Sequence, residues 1–169
     1  MTLGAFGKVK RRDPIKRAPA VTPPNRRVDP IRAVLGVDPG RLPGFVVLSP
    51  TREILYFGTG APDLGAFGPL IVVIERPEIR ANDQTHPEII VRHAWTAGML
   101  AGRLATRSDV LTLVTVHPKD WKGRIVKDVM TNRILRAFPS LKGCSSDVID
   151  AAGIAAWYLG VNWERKCDV

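Results

Sequence analysis

Leu70-Ile71-Val72-Val73-Ile74-Glu75 is apolar on five successive residues and then acidic. A strand with one face in water alternates apolar and polar residues, whereas a strand with no polar side is covered on both faces. Leu70–Ile74 therefore predicts a central strand. Glu75 stands at its carboxyl end, where open α/β sheets place their ligands. Working outward, Ala33–Val37 is a second apolar run, closed by Asp38-Pro39-Gly40. Phe45–Leu48 and Ile54–Phe57 predict two more strands, with Pro50-Thr51-Arg52 as the hairpin turn between them. Val110–Val116 predicts a fifth.

Helical patterns fill the chain after Glu75. Thr85-x-x-Glu88 reads as a capping box, with Pro87 tolerated in the first turn. From about His86 to Ala105, Ile90, Ala94, Ala97, Ala101 and Leu104 form a stripe suited to a sheet. Val91, Trp95 and Met99 form a second stripe on another face, so this helix covers a sheet and something else. Gly98 and Gly102 allow a close helix approach or mark packing on the sheet. Val126, Met130, Ile134 and Phe138 predict another helix, stopped by Pro139, with Lys127, Arg133 and Arg136 on its other faces. A last helix runs from about Ser146 to Leu159. Strands in hairpins followed by strand–helix–strand–helix–helix predict a mixed α/β layer architecture.

The charge is unevenly placed. The chain of 169 residues carries 25 Lys+Arg against 16 Asp+Glu, a net charge of +9. Residues 1–32 hold nine basic and two acidic residues, so +7 of that charge lies there, among five prolines. Residues 1–31 read as an extended basic arm, including Arg11 and Arg12, before a domain over 32–169. A cleaved targeting peptide is the competing reading; the prolines and Asp13 oppose an amphipathic transit helix. The balance predicts a polyanionic partner, nucleic acid or an anionic membrane surface. No apolar run approaches the roughly 18 residues of a membrane span, and no early apolar block reads as a signal peptide. Cys144 and Cys167 make neither a disulfide framework nor a Cys-rich zinc site, and a reducing compartment is the default.

Four acids stand apart. Asp38 and Glu75 both end central strands. Asp147 and Asp150, three apart in the first turn of the last helix, share a face. Singly each has an ordinary reading: a turn residue before Pro-Gly, a partner for Arg76 or Arg80, a complement to the helix dipole. Together, three segments deliver acids to one sheet edge. With no Cys/His cluster, all-oxygen ligands suit Mg²⁺ or Mn²⁺. Two such ions among convergent carboxylates in a basic protein fit phosphodiester hydrolysis.

The residues also carry a resemblance. Val34-Leu35-Gly36-Val37-Asp38-Pro39-Gly40, with Gly44-Phe45-Val46-Val47 after it, resembles the opening motif of the RuvC family of Holliday-junction resolvases. Ile71-Val72-Val73-Ile74-Glu75 resembles its second acidic strand. Asp147-Val148-Ile149-Asp150-Ala151-Ala152-Gly153-Ile154-Ala155 resembles its final acidic helix. The three occur in the family's order over about residues 33–160. The resemblance implies an RNase H-like fold, a five-stranded mixed β-sheet flanked by α-helices, and the small size suggests a compact, phage-type version. It implies a homodimeric, Mg²⁺-dependent endonuclease with two ions per active site, Mn²⁺ substituting, that nicks two opposed strands of a four-way DNA junction. The family's catalytic, metal-ligating acids map onto Asp38, Glu75, Asp147 and Asp150, with Asp38 bridging. The setting implied is the cytoplasm of a bacterial or phage-infected cell, away from membranes.

Two segments depart from the family pattern. Gly40-Arg41-Leu42-Pro43-Gly44 is stiffened by Pro43 where a small polar residue and then Gly are usual. Arg76-Pro77-Glu78-Ile79-Arg80 offers only Ile79 as a large apolar side chain to probe a junction. Candidate DNA contacts are Lys119 and Lys122 after the fifth strand, with Arg76, Arg80, Lys127, Arg11 and Arg12; a solvated loop anchored by Trp121 is the alternative for 117–123. His117 is a candidate base, although metal-assisted hydrolysis makes one unnecessary. Competing functions are a less selective nuclease for flaps, forks or RNA–DNA hybrids, and a non-catalytic branched-DNA-binding protein.

Overall fold

A computed structural model of the chain describes residues 33–40, 42–65, 67–77 and 87–164. The proposed arm, with Arg11 and Arg12, lies outside the described residues, as do Ile79, Arg80 and Thr85. The protein is α/β, with a five-stranded mixed sheet flanked by helices in the arrangement expected of an RNase H-like fold. Strands β1 (Ala33–Asp38), β2 (Gly44–Leu48), β3 (Ile54–Thr59), β4 (Leu70–Glu75) and β5 (Val110–Val116) lie in the order β3-β2-β1-β4-β5. β1 pairs antiparallel with β2 and parallel with β4, which pairs parallel with β5. The helices are α1 (Pro87–Ala105), α2 (Pro118–Lys122), α3 (Lys127–Ala137) and α4 (Ser146–Tyr158), with a 3₁₀ turn at Pro139–Leu141.

The period of two along each strand separates two cores. Leu35, Val37, Phe45, Val47, Val72 and Ile74 pack with Leu100 and Leu104 of α1 on one face. Val34, Val46, Leu48 and Val73 pack on the other with Met130 and Ile134 of α3 and the small residues of α4. This double cover is what the unbroken apolar run of β4 requires. The alanines and Gly153 of α4 permit a close approach: a Cβ on Gly36 would overlap the carbonyl oxygen of Ala151. Ser145 caps α4, its hydroxyl accepting from the Val148 amide at 3.4 Å. Trp163, which the sequence reading passed over, donates from its indole to the Gly153 carbonyl at 3.0 Å and pins the chain after α4.

The helices differ from the sequence expectations in several places. The sheet-facing contact of α1 is made by Ala101 and Leu104 of the expected stripe together with Leu100, which lies outside it, while Ala94 is exposed. Gly98 and Gly102 do not pack on the sheet; among the described residues nothing lies near either α-carbon's open position. Residues 118–122 form a short helix rather than a loop, started by Pro118 and by the His117 amide donating to the Asp120 carboxylate at 3.3 Å. Val126 lies just before α3 and is exposed, whereas Met130, Ile134 and Phe138 are buried as the spacing predicts. β5 forms one edge of the sheet among the described residues, and much of it faces solvent. Among those residues no helix is long and apolar enough to cross a membrane.

Candidate functional site

Strand alternation decides where the acids point. Asp38 follows Val34 and Gly36 on the α4 side of β1, and Glu75 follows Ile71 and Val73 on the same side of β4. The parallel register sets Val37 opposite Ile74, so the two acids end adjacent strands together. The first turn of α4 crosses this end. A Cβ on Gly44 would overlap the Asp147 backbone, and one on Gly40 would stand 2.7 Å from the Asp147 carboxyl carbon. Gly40 and Gly44 thus come close against the first turn of α4 because neither carries a side chain. Asp150, one turn on, is buried at 9% exposure.

The electrostatics follow from burial and like charge. Burial raises the Asp38 carboxyl well above the usual carboxylate range; Glu75, Asp150 and Asp147 push it further, and Lys122 opposes them. Burial also raises Glu75, against Lys122 and a hydrogen bond from Trp121. Asp150 is raised by burial and by Asp147, with Lys122 and Lys127 opposing. Asp38, Glu75, Asp147 and Asp150 therefore act on one another, as the sequence reading expects of acids delivered to one edge.

Among the described residues Glu75 is held by Trp121 and Lys122 rather than by Arg76, and Arg80 lies outside them. The Trp121 indole N–H donates to Glu75 Oε2 at 2.6 Å, and the Lys122 ammonium lies 3.8 Å from the same oxygen. That ammonium also sits 4.9 Å from the centre of the Trp121 ring, a cation–π contact. Arg76 turns instead to His117, whose Nε2 accepts from it. His117 Nδ1 is buried without a hydrogen-bond partner among the described residues. Lys119 and Lys127 are exposed near the same end of the sheet.

The donor set is all oxygen, desolvated, and only partly neutralised by Lys122 and Lys127. That chemistry fits a hard divalent cation. Among the described residues, however, no three Asp, Glu, His or Cys side chains already stand close enough to cage one. The sequence reading did not foresee that Trp121 engages Glu75. Its only signal was an aromatic residue soon after β5, the strand beside β4. Comparison with protein-family models and with curated proteins finds no match to this chain.

Proposed function

We propose that the chain is a divalent-metal-dependent endonuclease that acts on branched DNA, with the four-way junction as its substrate. One observation carries the reading: Asp38 stands half-buried at the end of β1 with three other acids near enough to raise its pKa. Such a cluster opposes folding and has its natural explanation in chemistry. Two divalent ions held by Asp38, Glu75, Asp147 and Asp150 would supply nucleophile activation and stabilisation of the departing 3′-oxygen.

The chain's own residues do the rest. Asp38, acted on by all three other acids, is the central ligand. Lys122, beside Glu75, offers a cation to the scissile phosphate. Arg76, Lys119 and Lys127 hold flanking phosphates, contacts that position DNA without reading its sequence. The basic stretch with Arg11 and Arg12, and Arg80, would extend those contacts.

Paired nicks need two sites across one symmetric substrate, and a second copy of the chain provides the other. The exposed face of α1 suits that contact: Val91 is 67%, Trp95 72% and Met99 52% exposed. Gly98 and Gly102 lie beside them with open space. The setting consistent with this activity is the cytoplasm of a bacterial or phage-infected cell. Labelled four-way, Y-shaped, flap and RNA–DNA hybrid substrates, with and without Mg²⁺, test the reading. Symmetric paired nicks on the four-way substrate are expected. Equal cleavage of all four would favour a less selective nuclease, and binding without cleavage a non-catalytic branched-DNA-binding protein.

A further inference from the structure

Trp121 touches both halves of the acidic site. It is 2% exposed, although it stands in a helix of only five residues. Its indole N–H ends on Glu75 Oε2 at 2.6 Å. Its ring lies on α4 at Gly153, where a Cβ would come 2.7 Å from the indole Cζ3. Gly153 is three residues beyond Asp150, one turn along the same helix. One rigid side chain therefore spans from the acid of β4 to the helix that carries Asp147 and Asp150.

We infer that Trp121 is the positioning residue of this site: its N–H orients Glu75 while its ring, seated on Gly153, sets the distance between Glu75 and Asp150 at which a divalent ion is held. The inference rests on the metal-dependent reading above and deepens it. A fixed outer partner settles which carboxylate oxygen faces the ion, and it lowers the cost of ordering the side chain on binding. Losing such a partner weakens metal affinity by roughly 10–100-fold. Both donors seen on Glu75 meet Oε2, so the proposal assigns Oε1 to the ion. Gly153 follows as part of the device, since any side chain there would lift the indole.

The test uses the full-length chain, freed of metal, with Mn²⁺ as the calorimetric probe. Trp121→Phe keeps an aromatic ring and deletes the N–H donor. Its Mn²⁺ affinity is expected to fall at least tenfold while the metal-free melting temperature changes little. A purely structural role would move the melting temperature and spare the affinity. Should Trp121→Phe not fold, the indole N–H resonances carry the test. In the wild-type chain the Trp121 signal is expected downfield of those from Trp95, Trp157 and Trp163. It should move upfield in Glu75→Gln and shift again on adding Mg²⁺ to the wild type. A Trp121 signal indifferent to both changes overturns the inference. Wild-type Mn²⁺ affinity in folded Trp121→Phe also overturns it, and leaves the nuclease reading intact if the wild type cleaves. A wild-type chain that binds no Mn²⁺ rejects the two-ion reading and this inference with it.

Discussion

Gly44 of β2 lies so close to Asp147 of α4 that a Cβ on the glycine would overlap the aspartate's backbone. The neighbour is helix backbone, which cannot swing aside as a side-chain tip does. Gly44→Ala should therefore lower stability by about 1–3 kcal/mol, the range for forcing extra volume into a packed interior. Because the displaced residue carries one of the acids, Mg²⁺ should also raise the melting temperature less than in the wild type. Thermal unfolding with and without Mg²⁺ measures both effects.

Neutral substitutions at the acids should separate chemistry from binding. Asp38→Asn, Glu75→Gln and Asp150→Asn are each expected to slow junction cleavage about a hundredfold or more, a rise of about 2.7 kcal/mol in the barrier. Junction affinity should survive, because phosphate contacts made elsewhere position the DNA. Single-turnover cleavage and electrophoretic binding assays on the same preparations would show the split. Full-rate cleavage by Asp38→Asn would remove that residue from the site.

The raised Asp38 pKa makes a signed forecast for the metal-free protein. The folded state keeps a proton on this carboxyl at a pH where the unfolded chain, near the ordinary value of about 3.9, has lost it. The stabilisation is complete below the unfolded pKa and disappears as pH rises through the folded one. Asp38→Asn should thus melt above the wild type near neutral pH, and the gap should close towards about pH 4. Mg²⁺ should work the other way, since a divalent ion held at this site would bind the ionised acids. At a hundred times its dissociation constant it should add about 2.7 kcal/mol to the wild type and much less to Asp38→Asn. Calorimetric melting across this pH range, with and without Mg²⁺, distinguishes these outcomes.

The strands were legible because each is an apolar run bounded by a turn signal, and β5 matches its expected limits. The placement of Asp38 and Glu75 followed, since a residue closing such a run stands at a strand end. α2 was not legible: its five residues are too few to display a helical period. The Trp121–Glu75 bond joins residues 46 apart in sequence, and only the parallel pairing of β4 with β5 brings them within reach. In α1 the pattern showed two apolar stripes. Leu100, in neither stripe, became a sheet contact because the helix leans its carboxyl-terminal half on the sheet through Leu100 and Leu104.

Assembly through α1 is tested by charge. Trp95, 72% exposed, contributes little to the monomer's own packing. Trp95→Glu should leave the monomer's melting temperature nearly unchanged, within about 0.5 kcal/mol of stability. It should weaken self-association at least tenfold by sedimentation or light scattering, because an unpaired carboxylate would then be buried in the contact. A wild-type chain monomeric at tens of micromolar would turn the reading towards the less selective nuclease.

The basic stretch is tested by salt. Each phosphate neutralised contributes roughly 0.9 to the slope of log affinity against log salt. If about three of its cations engage duplex DNA, deleting residues 1–31 should flatten that slope by about 2.7 per protomer. Cleavage at saturating protein should hold, since Asp38, Glu75, Asp147 and Asp150 all lie beyond the deletion. An unchanged slope with a lower melting temperature would assign the stretch a structural part instead.

β5 has a bearing on how copies of this protein tolerate one another. Its sequence, Val-Leu-Thr-Leu-Val-Thr-Val, contains no lysine, no proline and no acid, and Leu111 is 52% exposed. Natural sheets discourage unwanted extension with such residues at their margins. Among the described residues this margin has none of them and no strand pairs beyond it, so its outer amides and carbonyls offer a template for another strand. A net charge of +9 sets a long-range repulsion between copies against such pairing. Salt shortens the reach of that repulsion to about 8 Å at physiological ionic strength. A bound polyanion would cancel it as well, so the conditions that favoured such a complex would also bring these margins of neighbouring molecules within range of each other.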